Sequence, residues 1–453
     1  MALVHPASGA ATVSELDLFT MPLTQTAVEN VYTLDVRPMS TITANSVVEF
    51  VMGGEGRDYI DLARSRLYVK MRVLHMDGTS LDTQAFKTDG TPDPAGTTDE
   101  ETVPVNLCLH AMWNQIDIYI NGNRMSQSSG MYPYKAMIRT QLAYGDDAKN
   151  TQLKSQGYKL ETGADLDSFS LANEGLFWRY KLFKGSKSAD FEGPLLEDVM
   201  QLNRYLLNNM KIQLKLYPSQ KQFFLMSDET AKDYKLELQD IVFKACMVKV
   251  NPGVILGHAK AMETRNALYP YTKYETKSYS VSPAQRTVYL DNLFQGTRPS
   301  KLVVGMVDSS AFNGDYKKNP FNFKHYDISN MALVVDGDTV PGRPLKLDFD
   351  FKDGGRNFIE AYVNMYEALG QSGTDFGGGI TPKCYASGHT LFVYSLDPVI
   401  RSGRYMNLTQ HSNVRLELNF AKPLPETVTI IIYTESPAVF EVDIARNIIM
   451  SNN

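Results

Sequence analysis

The chain echoes itself in order. Ser65-Arg66-Leu67-Tyr68-Val69-Lys70-Met71 is matched by Ser300-Lys301-Leu302-Val303-Val304-Gly305-Met306, and Ile120-Asn121-Gly122-Asn123 by Val335-Asp336-Gly337-Asp338. Arg204-Tyr205-Leu206 has a counterpart in Arg404-Tyr405-Met406. Asn209-Met210-Lys211-Ile212-Gln213-Leu214 has one in Asn413-Val414-Arg415-Leu416-Glu417-Leu418. Helix-like segments ending at Gly145 and Gly370 fall in corresponding places. Each match is weak, but all keep the same order, about 200 to 235 positions apart. The spacing drops early, where Asp77–Pro104 reads as an insertion in the first half. At 453 residues the chain is too long for one ordinary core. A duplicated chain of that length predicts two similar domains in tandem.

The stretch Val105–Gly145 says what each copy contains. Val105, Leu107, Leu109 and Ala111 share one parity, then Ile116, Ile118 and Ile120 share the other. Alternation with a switch near Trp113–Asn114 predicts a half-buried strand with a bulge. Asn121-Gly122 supplies two residues that tolerate positive φ, as a tight hairpin requires. Pro133 can open a helix carrying Tyr134, Met137, Ile138 and Leu142, and Gly145 can stop it.

Further short strands are expected over Ser46–Met52, Arg66–Leu74, Leu176–Phe183, Met210–Tyr217 and Tyr234–Val250. In the second half they are expected over Arg286–Leu290, Lys301–Val307, Met331–Val335, Pro344–Phe351, Leu391–Leu396, Arg415–Phe420 and Thr427–Tyr433. Arg356–Leu369 reads as an amphipathic helix with Ile359, Tyr362, Val363, Tyr366 and Leu369 on one face. Asn357 and Glu360 are its expected cap and Gly370 its stop. Val250-Asn251-Pro252-Gly253 is the expected boundary. The prediction is an all-β chain of two tandem eight-stranded jelly rolls with short helices in the connecting loops. Its divisions are an N-terminal arm (1–28), a first jelly roll (29–250), a second (251–445) and a C-terminal tail (446–453). Asp77–Pro104, rich in Thr, Asp, Gly and Pro, is expected to be an exposed loop.

Composition narrows the function classes. A formal net charge of -6 argues against a surface that neutralises phosphates. No apolar run approaches the roughly 20 residues that span a bilayer. The N-terminus shows no basic-then-apolar leader, so the sequon at Asn407 is not expected to be glycosylated. Cys108, Cys246 and Cys384 are odd in number and far apart, and are expected to be buried thiols. His5, His75, His110, His258, His325, His389 and His411 form no metal-binding pair, and no nucleophile elbow or Walker motif is present. Gly377-Gly378-Gly379 lacks the following Lys-Ser/Thr of a phosphate loop. Asp348, Asp350 and Asp353 have the wrong spacing for an EF-hand, so LDFDF is expected to be a strand with outward aspartates. The parity of His110 puts it towards solvent or a neighbouring subunit. No catalytic, cofactor-binding or metal residue is therefore named, and no cofactor is expected.

Several runs together resemble a known group. They are VNLCLHAMWNQIDIYINGNRM, SSGMYPYKAMIRTQLAYG, FEGPLLEDV, NRYLLNNMKIQLKL, NPFNFKHYDI with ALVVDGDTVPGRPL, and YASGHTLFVYSLDP. Their order, from about Val31 to about Asp443, resembles the major capsid proteins of the Polinton/Maverick and adintovirus group, within the adenovirus-hexon-like double jelly-roll lineage. The resemblance implies a non-enzymatic capsid protein. Three copies would form a homotrimeric, pseudo-hexagonal capsomer, and neighbouring capsomers would tile an icosahedral shell around double-stranded DNA. Penton and minor capsid proteins would be further partners, sequence-specific nucleic-acid binding is not expected, and the location would be the virion. The rival readings are a tandem β-sandwich that binds carbohydrate as a fibre-like attachment protein, and a cupin-type enzyme. The latter needs clustered His/Glu ligands that the sequence does not show.

Overall fold

The computed structural model describes residues 5–40, 46–53, 56–84, 99–170, 172–229, 232–294, 297–350, 357–375, 377–398 and 407–450. Its strands follow the period-two burial that one-sided sheets impose. Val48–Met52, Ile212–Pro218 and Val414–Phe420 each alternate buried and more exposed side chains. The first part of the chain holds β1 (Val28–Val36), β2 (Val48–Met52), β3 (Tyr59–His75), β4 (Thr102–Pro104) and β5 (Trp113–Ile120). It continues with β6 (Asn123–Arg124), β7 (Ala189–Pro194), β8 (Ile212–Pro218), β9 (Leu225–Ser227) and β10 (Tyr234–Val250). The second part holds β11 (Ala267–Val281), β12 (Thr287–Leu290), β13 (Lys301–Asp308), β14 (Ile328–Val335) and β15 (Asp338–Lys346). It ends with β16 (Leu391–Ser395), β17 (Val414–Phe420), β18 (Val428–Val442) and β19 (Ile448–Met450).

The sheets run β1-β10-β3-β7 and β2-β8-β5-β6 in the first part, then β11-β18-β13-β16 and β12-β17-β14-β15 in the second. The small ladder β4–β9 and the added strand β19 lie outside this pattern. Without them, both halves place their strands in the same order: first, last, third, sixth in one sheet, and second, seventh, fourth, fifth in the other. That is the jelly-roll order, present twice, with antiparallel ladders. The sequence echoes occupy equivalent places. Ser65–Met71 lies on β3 and Ser300–Met306 spans the start of β13; the last echo spans the starts of β8 and β17. Both hairpins turn through left-handed residues, Asn121 and Gly122 in one, Asp336 and Gly337 in the other. Residues 404–406 lie outside the described residues.

Several local expectations change. The chain does not enter β5 as a strand from Val105. Leu107 adopts a left-handed conformation and Cys108–Ala111 makes one helical turn. The irregularity expected near Trp113 is present as a register shift between Trp113 and Gln115. Leu176–Phe183 is helical, within Glu174–Phe183, with the Asn173 side chain accepting the Leu176 amide. Its aromatic content favours strands, but a capped start and burial of Leu176, Arg179, Tyr180 and Phe183 on one side override that propensity. The helix Ile359–Ala368 buries Ala361, Met365 and Ala368, while Ile359 and Val363 are exposed. The buried stripe is thus rotated from the expected one. Phe358, not Asn357, precedes its first turn, without a side-chain cap, and Gly370 follows at positive φ as expected. In LDFDF, Leu347 and Phe349 are buried and Asp348 and Asp350 exposed, beyond the end of β15. Cys108 and Cys246 are buried, and Cys384 is half-buried.

Strand direction alternates, so the connections sort to two ends. Those after β3 and β6 in the first half, and after β13 and β15 in the second, form one end, here the crown. The crown carries the helices Tyr132–Ala143, Asp146–Asn150, Glu174–Phe183 and Ile359–Ala368. The hairpins, the N-terminal arm, the helix Pro252–Met262 and β19 lie at the opposite end, here the base.

Candidate assembly surfaces and the joint between the sandwiches

The polar side chains that the fold buries join its halves. Arg179, fully buried on the helix Glu174–Phe183, donates from Nε to the Pro104 carbonyl at 2.9 Å and from Nη2 to Glu161 Oε1. The other Glu161 oxygen accepts from Asn319 Nδ2 of the second half at 2.5 Å. His389, also of the second half, meets the Glu161 carbonyl at 3.0 Å and Gln141 Nε2 at 3.2 Å. Nearby, Lys149 donates to the carbonyls of Gln141 and Gly378 at 2.6 and 2.5 Å, and the Asp146 amide to that of Gly377 at 3.0 Å. The glycine run 377–379 thus receives a lysine from the other half.

Aromatic packing completes the crown joint. Tyr134 stacks on Phe312 at 5.4 Å and meets Phe223 and Phe321 edge-on. Tyr316 packs against Tyr234 and its hydroxyl donates to Asp233 at 2.8 Å. Lower down, buried Lys135 bonds Glu197 at 2.5 Å and Asp198 at 3.4 Å, while Asp198 accepts the Tyr274 amide of β11 at 3.2 Å. At the base, Arg446 reaches the Asn208 carbonyl and side chain, and the Arg446 carbonyl accepts from Asn121 at 2.7 Å. These bonds and stacked rings cross between the sandwiches at both ends, although Arg179 Nη1, Gln141 Oε1 and the Tyr134 hydroxyl are buried without a hydrogen-bond partner among the described residues.

His110 belongs to the interior rather than to a contact surface. It sits in the turn Cys108–Ala111, fully buried. Gln156 Oε1 can only accept, so the hydrogen of His110 sits on Nε2, which donates to it at 2.9 Å. Bare Nδ1 accepts from the Tyr132 hydroxyl at 2.7 Å, whose oxygen also accepts the Leu196 amide at 3.2 Å. Burial pulls its pKa down to about 4. The parity argument placed it outside because it assumed a strand; one helical turn rotates the side chain inward. Among the described residues, no three His, Cys, Asp or Glu side chains gather to hold a metal ion, and no helix is long and apolar enough to cross a membrane.

The unpartnered surface lies at the base. Residues 5–27 of the arm are all exposed, and they carry Val13, Leu16, Leu18, Phe19, Met21 and Leu23 into solvent. β1 is an edge strand exposed on both faces, with Val31, Tyr32 and Leu34 among its open side chains. The apolar helix Pro252–Met262 buries only Met262 and exposes Leu256. Together with Leu268, Ile444, Ile449 and Met450 these make an apolar base that solvent alone would not favour. Of the expected loop Asp77–Pro104, residues 85–98 lie outside the described residues. Its flank is anchored by buried Glu100, which bonds His75 at 2.8 Å and the Tyr234 hydroxyl at 2.6 Å, and by the ladder of β4 with β9.

Comparison with known proteins agrees with this architecture. No protein-family model matches the chain. An uncharacterised protein of Caenorhabditis elegans is 27% identical over 437 residues, covering 95% of this chain and all of the relative. A chain of the PBCV-1 virus capsid superposes with a TM-score of 0.60 at 9% identity, covering 96% of this chain and 100% of that one. A chain of the Sputnik virophage gives 0.60 at 11% identity, covering 99% and 94%. The mavirus major capsid protein gives 0.53 at 10% identity, covering 100% and 95%. At these identities the likeness is one of fold, and it extends over both sandwiches.

Proposed function

We propose that this chain is a hexon-like major capsid protein. The observation that carries the reading is the end-to-end match of both sandwiches to capsid chains whose length it nearly equals. The hydrogen bonds and stacked rings that join the two sandwiches support it, since a tile must hold its two lobes together. The apolar base and the open β1 edge supply surface for contact between copies. Three copies, each with two like lobes, give a six-lobed trimer, and such pseudo-hexagonal capsomers can tile an icosahedral shell around double-stranded DNA. Penton and minor capsid proteins would fill the positions that trimers cannot. The net charge of -6 fits a shell that leaves genome contact to other proteins. The functional divisions are the arm (1–28), two jelly rolls (29–250 and 251–445) and the tail (446–453). The sequence runs quoted above support the Polinton/Maverick–adintovirus type, and the likeness of the fold to capsid chains supports a place in the virion.

Light scattering of the purified chain tests this directly. A mass of three chains is expected. A monomer that binds a glycan array would overturn the reading in favour of a fibre-like attachment protein.

A further inference from the structure

The base holds a cavity of about 580 Å³ between the start of β3, the segment 203–207, the helix Pro252–Met262 and the start of β11. That volume is within the range of built ligand sites. Its walls are aromatic and apolar: Tyr59 and Tyr269 are buried, while Tyr205 and Leu268 are partly open. Its polar members are cationic or neutral. Arg204, His258 and Arg265 line it, and no aspartate or glutamate does. Arg204 donates to the Leu268 carbonyl at 2.6 Å, and His258 Nδ1 meets the Tyr59 hydroxyl at 2.9 Å. Among the described residues neither Arg204 nor Arg265 has a salt-bridge partner. Arg446, close by, bonds Asn208 rather than a carboxylate. Glu441 is held by Asn266 Nδ2 at 2.8 Å. An aromatic cavity rimmed by exposed arginines that form no salt bridge among the described residues suits a ligand with an apolar body and carboxylates.

The chain carries such a segment. Residues 14–19, Ser-Glu-Leu-Asp-Leu-Phe, alternate acid and apolar side chains. Leu16, Leu18 and Phe19 are 66%, 75% and 96% exposed. The backbone hydrogen bonds of this region stay inside the arm, from Leu16 to Val13 and from Asp17 to Ser14. The arm leaves the body at Val28, which pairs with Val250 beside the helix that walls the cavity. Extended, the chain from Val28 back to Leu16 spans up to about 40 Å, long enough to carry residues 14–19 well clear of their own strand β1.

We propose that residues 14–19 of one copy seat in this cavity of a second copy. Leu18 and Phe19 pack against Tyr59, Tyr205 and Tyr269, and Glu15 and Asp17 pair with Arg204 and Arg265. The second copy rests on the assembly reading above; the cavity and the arm do not. The test is photo-crosslinking in the full chain with benzoylphenylalanine in place of Phe19, in a mixture of two distinguishably tagged populations. Crosslinks between copies are expected, mapping to residues 203–207 and 258–269. Arg204→Glu with Arg265→Glu should lower their yield by about tenfold, and adding Glu15→Arg with Asp17→Arg should restore it. Crosslinks confined to one copy, crosslinks elsewhere, or a yield indifferent to charge reversal would overturn the inference. So would retention of inorganic phosphate that the arginine reversals abolish, with no arm crosslink. Trimers without the crosslink overturn it and leave the assembly reading standing.

Discussion

Replacing Glu161 by Gln should loosen the joint between the sandwiches. The Glu161 side chain is 3% exposed and that of Arg179 is 0% exposed. One carboxylate oxygen faces Arg179 and the other faces the Asn319 amide, so both partners are donors. A glutamine keeps the shape but turns its own NH₂ donor towards one of them, and it leaves Arg179 buried without a counter-charge. Breaking a buried pair in this way costs about 3–5 kcal/mol. For one cooperative unit of both sandwiches that corresponds to roughly 4 °C in Tm. Because Asn319 belongs to the second half, the loss should also separate the two melting events. Calorimetry should therefore show one transition in the parent and an earlier, split transition in the variant. Glu161→Met combined with Arg179→Met removes both charges and should cost less than Glu161→Gln alone. A Glu161→Gln variant within about 0.5 kcal/mol of the parent, with an unsplit transition, would refute the reasoning.

Acid should destabilise the fold through His110. Its folded pKa lies near 4, below the 6.5 of the free side chain, so the unfolded state takes up a proton first. Stability is then full above pH 6.5 and falls by about 3 kcal/mol as pH drops towards 4, and urea midpoints should lose much of that slope in His110→Gln. Asp308 should act at lower pH. Burial raises its pKa, but Lys318 and the Ser310 amide outweigh this and hold it at about 2, so its contribution is present above 3.8, is lost as pH falls through about 2, and should be missing from the acid limb of Asp308→Asn. Gly305→Ala should overpack β13, since a Cβ there would meet Phe323 Cδ1 at 2.7 Å and Leu391 at 3.0 Å. A cost of about 1–3 kcal/mol in chemical denaturation is expected, and a neutral result would mean that Phe323 moves freely.

The sequence announced the sandwiches where strands are buried on one side. Ile212–Leu216 and Val414–Leu418 alternate cleanly, Ile116, Ile118 and Ile120 keep the period although Asp117 is buried too, and Asn-Gly and Asp-Gly mark the two hairpins, because the fold demands those side chains and those φ values. It was silent on Ala267–Val281, the longest strand of the second half together with β18. That edge strand contains Pro270 and mixes exposures, and its register is set by its partner instead of its own pattern. The helix Glu174–Phe183 looked like a strand because aromatic residues suit both states, and tertiary burial decided between them. The joint was not legible at all. Glu161 and Asn319 are 158 positions apart, and nothing local tells a buried glutamate from a solvated one. The base cavity has the same character: Arg204 and Arg265 read as ordinary surface arginines, and only the fold gathers them beside Tyr59 and Tyr269. The arm reads from sequence only as an aperiodic terminus; its acid and apolar side chains at 15–19 gain meaning once the structure leaves them exposed.

Negative-stain electron microscopy of the purified full-length chain tests the central claim most directly. Three copies with two like sandwiches each should appear as uniform particles with a six-lobed, pseudo-hexagonal outline. Uniform two-lobed particles of a single chain would contradict the account.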